Sequence, residues 1–473
     1  MKETLLHKML RNLTVKEFSE FVAFADSPFF NRDKRVVSLL ERLQKAHPEF
    51  KESPAIAMNT LVKELKLGSE GNLRQLYSRT FKLLPGFFAQ KELDQQPNTT
   101  RLLLLDALLN RSLENEFRSE LQDFEQKISL DDQPFHARLR LYDFRLQEQN
   151  RGWSKGFVLP AYLDSSTAYF LLKKLKQASM LLLLQRVYKQ IVETNLLHEM
   201  EFLLPFHEKL VKKDVVLFAW KQMYDLLNSA DPGEDGTGLW QFVEKNKANI
   251  PPKEQKDLFN TRSNYLVGNL NRGHYSTLAE LNWFYDNLTE LYRFAVTNNL
   301  LHEGMYITRE RFKNVLSAAC SAGQSGWARD FLAENLVKVM PNHREDLWSF
   351  CAGMIAFYEH DFQKAAVLLS IVSTHSNEFY FFDVASLLMR IYLKEKNMDL
   401  FDSRAEAVRK KLPKTGFSDN NRRNYSNYFR LLKEMFDLKN HPATNVKAWN
   451  TFQEKVKNTN PVNQKKWLLE NIP

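Results

Sequence analysis

Between Arg309 and Leu412 a short motif recurs: a small or polar turn, then an aromatic or Met residue, then a helical run. Gly323 to Trp327, Glu359 to Phe362 and Lys396 to Met398 each carry it. Taking Trp327, Phe362 and Met398 as equivalent gives spacings of 35 and 36 residues. A unit of that length has room for two helices, and one such pair cannot bury its own apolar face. Consecutive pairs must therefore stack and share a core. Composition points the same way: 15 glycines in 473 residues, and apolar runs at helical rather than alternating spacing, leave no pattern for a parallel sheet.

The clearest unit is DLWSFCAGMIAFYEHDFQKAAVLL, Asp346 to Leu369. Gly353 falls at the small position of its first helix, Asp361-Phe362 at the turn, and Ala365 at the small position of its second helix. Two helices that cross closely cannot both carry bulky side chains at the contact. On these residues the unit resembles a degenerate tetratricopeptide repeat. It lacks the family's usual closing Pro, and Ala318 and Met389 stand in the neighbouring units where Gly353 does. The resemblance covers about a quarter of the chain and implies stacked antiparallel helix pairs, with no particular partner. The phrases SPFFN (Ser27 to Asn31) and KKWLLENI (Lys465 to Ile472) are similar to those of uncharacterised bacterial helical proteins, a likeness that implies no activity.

At 473 residues the chain exceeds one ordinary core, so several domains or one extended solenoid are expected. No apolar stretch nears the roughly 20 residues that cross a bilayer. The opening MKETLLHKMLRNLTVKEF mixes charge into any signal core, so a cytoplasmic protein is expected. Cys320 and Cys351 form no C-x-x-C and read as reduced thiols filling narrow slots of successive repeats. The net charge is +9, yet residues 401–473 alone carry 15 Lys+Arg against 7 Asp+Glu, so nearly all the surplus lies at the C-terminal end.

Along the chain, Thr14 and Glu17 form a capping box, with Leu13 and Phe18 as its hydrophobic staple. The helix stops by Ser27 to Asn31, and a second runs from about Asp33 to Ala46. Ile56 to Leu67 and Asn72 to Leu84, separated by Gly68, have a helix-turn-helix look, with Arg74, Gln75, Ser78, Arg79 and Lys82 on the outer face. Short helix pairs around a Gly are abundant in all-α proteins, so an ordinary antiparallel hairpin with solvated basic residues is the expected reading. Helices fill about Thr100 to Asn150. Arg151 to Asp164 is a candidate boundary, and Ser165 to Thr194 is too Leu-rich to stand exposed. Asn195-Leu196-Leu197-His198-Glu199 recurs as Asn299 to Glu303, close to three repeat lengths later. Both copies are expected at a helix end and the start of the next. Arg272 to Tyr275 resembles the later inter-helix turns, and Thr308 caps the helix that opens the repeats.

Signatures of chemistry fail on spacing. A zinc-protease motif from His198-Glu199 needs His at position 202, where Phe202 stands. A calcium loop starting at Asp231 places Gly233 and Phe242 where oxygen ligands are required. Phosphate-binding glycine loops and nucleophile elbows are absent. The expectation is a protein without catalytic residues, metal or cofactor.

Two surfaces remain. The first helix of the best unit would turn Leu347, Phe350, Met354, Phe357 and Tyr358 inward, with Asp383 and Arg390 from the next unit. That wall suits a peptide or helix laid in a groove, although these aromatics equally suit inter-repeat core. The second surface joins Arg422, Arg423, Arg430, Lys433, Lys447, Lys455, Lys457, Lys465 and Lys466 with Tyr425, Tyr428, Phe429, Trp449, Phe452 and Trp467. Cations and rings together can hold and stack nucleic acid, or form a solvated cap. The reading is all-α: an N-terminal helical module (1–95), connecting hairpins (96–150), tetratricopeptide-like repeats (151–412, clearest from 309) and a basic C-terminal helical cap (413–473). Its expected function is a protein-binding scaffold, with nucleic-acid binding as the alternative.

Overall fold

The computed structural model describes residues 4–48, 50, 56–127, 134–153, 159–188, 192–229, 236–373, 378–441 and 445–473. Among them every regular element is helical, and the only β pairing is two isolated bridges, Glu303 with Tyr306 and Ile307 with Val339. The chain divides into two compact units, Met1–Ser129 with Arg140–Phe157, and Leu130–Leu139 with Val158–Pro473. The division before Val158 falls within the Arg151 to Asp164 break.

The first unit opens with α1 (Leu5–Arg11) and α2 (Val15–Asp26). The α2 capping box is formed in both directions: Glu17 N–H donates to Thr14 Oγ1 at 3.1 Å, and Thr14 N–H to Glu17 Oε2 at 2.8 Å. Two of the helix's orphan N-terminal donors are thereby satisfied. Asp33 caps α3 (Lys34–Lys45). The next pair is α4 (Met58–Glu64) and α5 (Glu70–Asp94), with Gly68 in the left-handed region between them at φ +56°. Here α5 runs ten residues past the predicted stop at Leu84. Pro85 is exposed, while Leu84 and Phe87 on either side are buried, so tertiary packing carries the helix through a residue that removes one backbone hydrogen bond. Arg74, Gln75, Ser78, Arg79 and Lys82 do lie on its outer face, where Arg79 reaches Asp33 at 3.1 Å. The unit continues with α6 (Pro97–Asn110), α7 (Glu114–Lys127) and, from Arg140 onward, α8 (Pro134–Asn150), tied by Arg140 to Asp106 and by Arg145 to Glu125 and Glu148.

From Val158 onward the second unit opens with α9 (Leu159–Tyr188), whose Leu171, Leu172 and Leu175 are buried as their apolar spacing demands. The cover comes from α10 (Leu196–Phe206), α12 (Val215–Asn228) and α14 (Pro252–Arg272), with α11 (Glu208–Lys213) and α13 (Thr237–Lys245) between them. The loop expected around Asp231 to Gly238 lies outside the described residues up to Asp235. Then α15 (Leu278–Thr297) leads into helix pairs: α16 (Arg309–Ser321) with α17 (Ser325–Asn335), α18 (Arg344–Tyr358) with α19 (Phe362–Ser370), and α20 (Glu378–Glu395) with α21 (Met398–Lys411). The first helix of each pair packs on the first helix of the next, and α20 in turn on α22 (Asp419–Asn440).

One cap accounts for the recurring turns. Gly323, His360 and Lys396 each adopt the left-handed conformation. The following N–H groups, of Gln324, Asp361 and Asn397, return to the carbonyls of Ala319, Ala356 and Tyr392 at 2.8 to 2.9 Å. This is the Schellman arrangement, which satisfies the orphan carbonyls of a helix end while reversing the chain. Asp361 and Asn397 also cap the helices that follow.

The same cap separates the two NLLHE segments. Asn299 is left-handed and Leu300 N–H returns to Ala295 O at 2.8 Å, so this copy closes α15 and no helix begins before Arg309. Asn195, at φ −85°, opens α10. The identical pentapeptide thus takes two conformations, and the 104-residue spacing marks no structural equivalence.

Cys320 and Cys351 are free and buried on the adjacent helices α16 and α18. Burial pushes the Cys320 thiol up to about 12 and raises Cys351 as well. The thiolate is the reactive species. Neither cysteine should react with a disulfide reagent at pH 8 in the folded chain, and both should react in denaturant. A native thiol that titrates within minutes contradicts this placement.

Candidate functional site: a polar cleft on the inner helices

Successive first helices of the second unit each turn one stripe of side chains toward a common cleft of about 430 Å³. From α16 come Glu310, Lys313, Asn314 and Ser317, from α20 Asp383, Ser386, Leu387 and Arg390, and from α22 Asn421, Asn424 and Tyr425. Spacings of three, four and seven place each set on one helix face. Phe350 and Met354 of α18 line the cleft between α16 and α20 and are themselves almost fully buried.

Lys313 Nζ is ion-paired with Asp383 Oδ2, linking α16 to α20 across a separation of 70 residues. The other carboxylate oxygen, Asp383 Oδ1, accepts from Tyr425 Oη at 2.8 Å. Burial, and then the Asp383 charge, hold the Tyr425 phenol well above 10, so it acts as a fixed donor. Ser386 Oγ donates to Tyr428 Oη at 2.9 Å. Asn424 Nδ2 donates to Asn463 Oδ1 at 2.8 Å, while Asn424 Oδ1 is buried without a partner among the described residues.

Arg390 is 2% exposed. Its Nε donates to Ser386 O at 3.2 Å and its Nη1 to Gln464 Oε1 at 3.3 Å. The guanidinium lies over the Phe357 ring at 4.7 Å and the Trp467 ring at 5.3 Å. Tyr358 Oη also reaches Gln464 Oε1, at 3.5 Å. Gln464 meets both in a left-handed conformation, φ +54°, which is costly for a residue with a Cβ and is held here by its surroundings.

The far side of the cleft is the chain's own C-terminal segment. After α23 (Val446–Asn458), Pro461 O accepts from Asn427 Nδ2 at 3.0 Å, Gln464 contacts α20 and α18, and Lys466 Nζ donates to Ser321 O of α16. α24 (Lys465–Glu470) then packs on α15. The segment runs back across the inner helices instead of extending beyond the last pair. Gly273, left-handed at the end of α14, leaves room for Asn460, whose side chain occupies the space a Cβ would take.

Of the residues expected to form a binding wall, Phe350, Met354, Tyr358, Asp383 and Arg390 line the cleft. Phe357 does not, because it is buried beneath Arg390, and Leu347 is interior. The sequence reading missed the polar stripes Lys313, Asn314, Ser317 and Asn421, Asn424, with Asn463 and Gln464. Their signal was available in the spacing: Lys313 and Asp383 stand two repeat lengths apart.

The basic C-terminal residues are distributed differently. Lys433 pairs with Asp402 and Asp437, and Lys455 with Glu434. Arg422 donates to Thr415 O and Phe417 O and pairs with Asp419. Lys457 pairs with Glu454, and Lys466 lies near Glu470. Arg423, Arg430 and Lys447 are exposed. Tyr425, Tyr428, Phe429, Phe452 and Trp467 are all buried, so those rings offer no platform for bases.

Lys465 is 4% exposed, with Nζ donating to Lys457 O at 3.0 Å and to Asn460 Oδ1. Burial lowers its pKa from 10.5 to about 8. Between those values the unfolded chain holds a proton that the folded chain has released, so stability rises as pH increases through the window. Relative to Lys465→Met, the parent should gain about 3 kcal/mol between pH 8 and 10.5, measured by urea unfolding. An unchanged difference across the window would show that the lysine is not desolvated.

Comparisons with protein-family models, with curated proteins and with solved structures find no match to this chain.

Proposed function

We propose that the protein is a non-catalytic interaction scaffold whose stacked, tetratricopeptide-like helix pairs receive an extended segment of a partner protein in the inner cleft. The observation that carries this reading is the alignment of one side-chain stripe from each of α16, α18, α20 and α22 on the same 430 Å³ cleft. Phe350 and Met354, almost fully buried, form the apolar floor, and the Asn and Gln amides supply paired donors and acceptors of the kind a peptide backbone uses. The non-catalytic reading rests on Asp383, whose two oxygens are already engaged by Lys313 and Tyr425, and on Glu310, which lies at the exposed rim.

The test is a photocrosslinking amino acid placed in the full chain at Asn314, an exposed cleft residue, or at Val367 on α19, which is 64% exposed. In native extract a discrete protein adduct should form at Asn314, be absent at Val367, and disappear when Ser317→Trp fills the cleft. The same adducts at both positions, or adducts indifferent to Ser317→Trp, would remove the groove reading.

A further inference from the structure

The cleft contains a buried cation whose hydrogen-bonding capacity is only partly used. That cation is Arg390. Its Nε and Nη1 have oxygen partners, but among the described residues Nη2 has no acceptor and no carboxylate pairs with the guanidinium. Phe357 and Trp467 attract the charge through their faces without accepting in-plane hydrogen bonds, so they leave Nη2 without an acceptor. A buried charge is ordinarily paired. Every other cation lining the cleft is already committed, since Lys313 belongs to Asp383.

We propose that Arg390 is a carboxylate socket, and that the segment received in the cleft is acidic, with one Asp or Glu side chain placed against Nη2. The inference rests on the groove reading and names the chemistry of its ligand. Geometry favours a carboxylate because a planar guanidinium edge matches a planar two-oxygen acceptor. A phosphate dianion fits less well: one uncommitted cation faces it, while Asp383 and Glu310 also line the cleft. Asn424, which lines the same cleft, keeps its buried Oδ1 without a partner among the described residues. The matched ligand thus carries a carboxylate flanked by amide donors.

The probe is N-acetyl-glutamate N-methylamide, which presents that group between two amides, read on the full chain through the indole N–H resonance of Trp467, assigned by Trp467→Phe. A saturable shift is expected with a dissociation constant of about 10 to 100 mM, the range one charge-assisted pair supports. The glutamine analogue and inorganic phosphate should each bind about tenfold more weakly or worse. Arg390→Gln should abolish the shift. Arg390→Lys, which keeps the charge and loses the fork, should weaken it several-fold, and serves as the deciding variant if Arg390→Gln does not fold. Equal shifts from the glutamate and glutamine probes, a response unchanged in Arg390→Lys, or a shift that stays linear up to about 500 mM would overturn the socket. Tighter binding of phosphate would assign the edge to a different oxyanion and overturn it too. Should the Asn314 crosslink form and disappear with Ser317→Trp while the glutamate probe fails, the scaffold stands and the carboxylate is wrong. If the probe binds and no cleft-dependent crosslink forms, the scaffold is what fails.

Discussion

Replacing Gly353 by Leu should lower the stability of the second unit by about 3 kcal/mol, among the largest effects of any single substitution here. A Cβ at this position would stand 2.9 Å from Leu369 Cγ and 3.4 Å from Ala365 O, so the α18 backbone meets α19 with no space for a side chain. Neither partner can withdraw: Ala365 and Leu369 are themselves buried, and both helices belong to the same core. Urea midpoints of Gly353→Leu and Gly353→Ala, each alone and combined with Leu369→Ala, measure the effect. The Gly353→Ala defect should shrink in the double variant, because the collision is with that leucine. Additive losses would place the strain elsewhere.

Phe382→Ala should cost about 4 kcal/mol, the usual scale for removing a fully buried aromatic ring. The ring is 0% exposed and lies within 5.1 to 6.3 Å, centroid to centroid, of Phe381, Phe417, Tyr425 and Phe429. It joins α20 to α22, and it adjoins Asp383, the residue that holds Lys313 and Tyr425. The substitution should therefore also move the cleft. The Trp467 indole resonance should broaden or shift in Phe382→Ala at denaturant concentrations where the helical circular dichroism is still intact. A fully native Trp467 signal together with a loss under about 1 kcal/mol would show that the ring is not the joint between these helices.

Much of the local structure was legible because its causes lie within a few residues. Thr14 and Glu17 cap α2, Asp33 caps α3 and Thr308 caps α16 through their own side chains. Gly353 and Ala365 meet at the crossing their sizes suggested. The repeated turns at Gly323, His360 and Lys396 share one cap, although only the first is glycine. Where distant packing intervenes, the same reasoning misleads. α5 continues through Pro85 because Leu84 and Phe87 are both buried. One pentapeptide opens α10 and, repeated, closes α15.

The cleft divides along the same line. Residue type and spacing were enough to put Phe350, Met354, Asp383 and Arg390 on inward helix faces, since helical periodicity follows from backbone geometry alone. They were not enough to separate Phe357, which lies under Arg390, from Tyr358, which lines the space, because one helical step decides that and only the neighbouring helix reveals it. The return of residues 459–470 across α22, α20, α18 and α16 had no local signal. An all-helical chain with a recurring turn follows from sequence by itself, because turn residues and periodicity are short-range signals. Which cation is left with an open edge was settled by contacts more than 70 residues apart, such as Arg390 with Gln464, and these exist only once the chain has closed on itself.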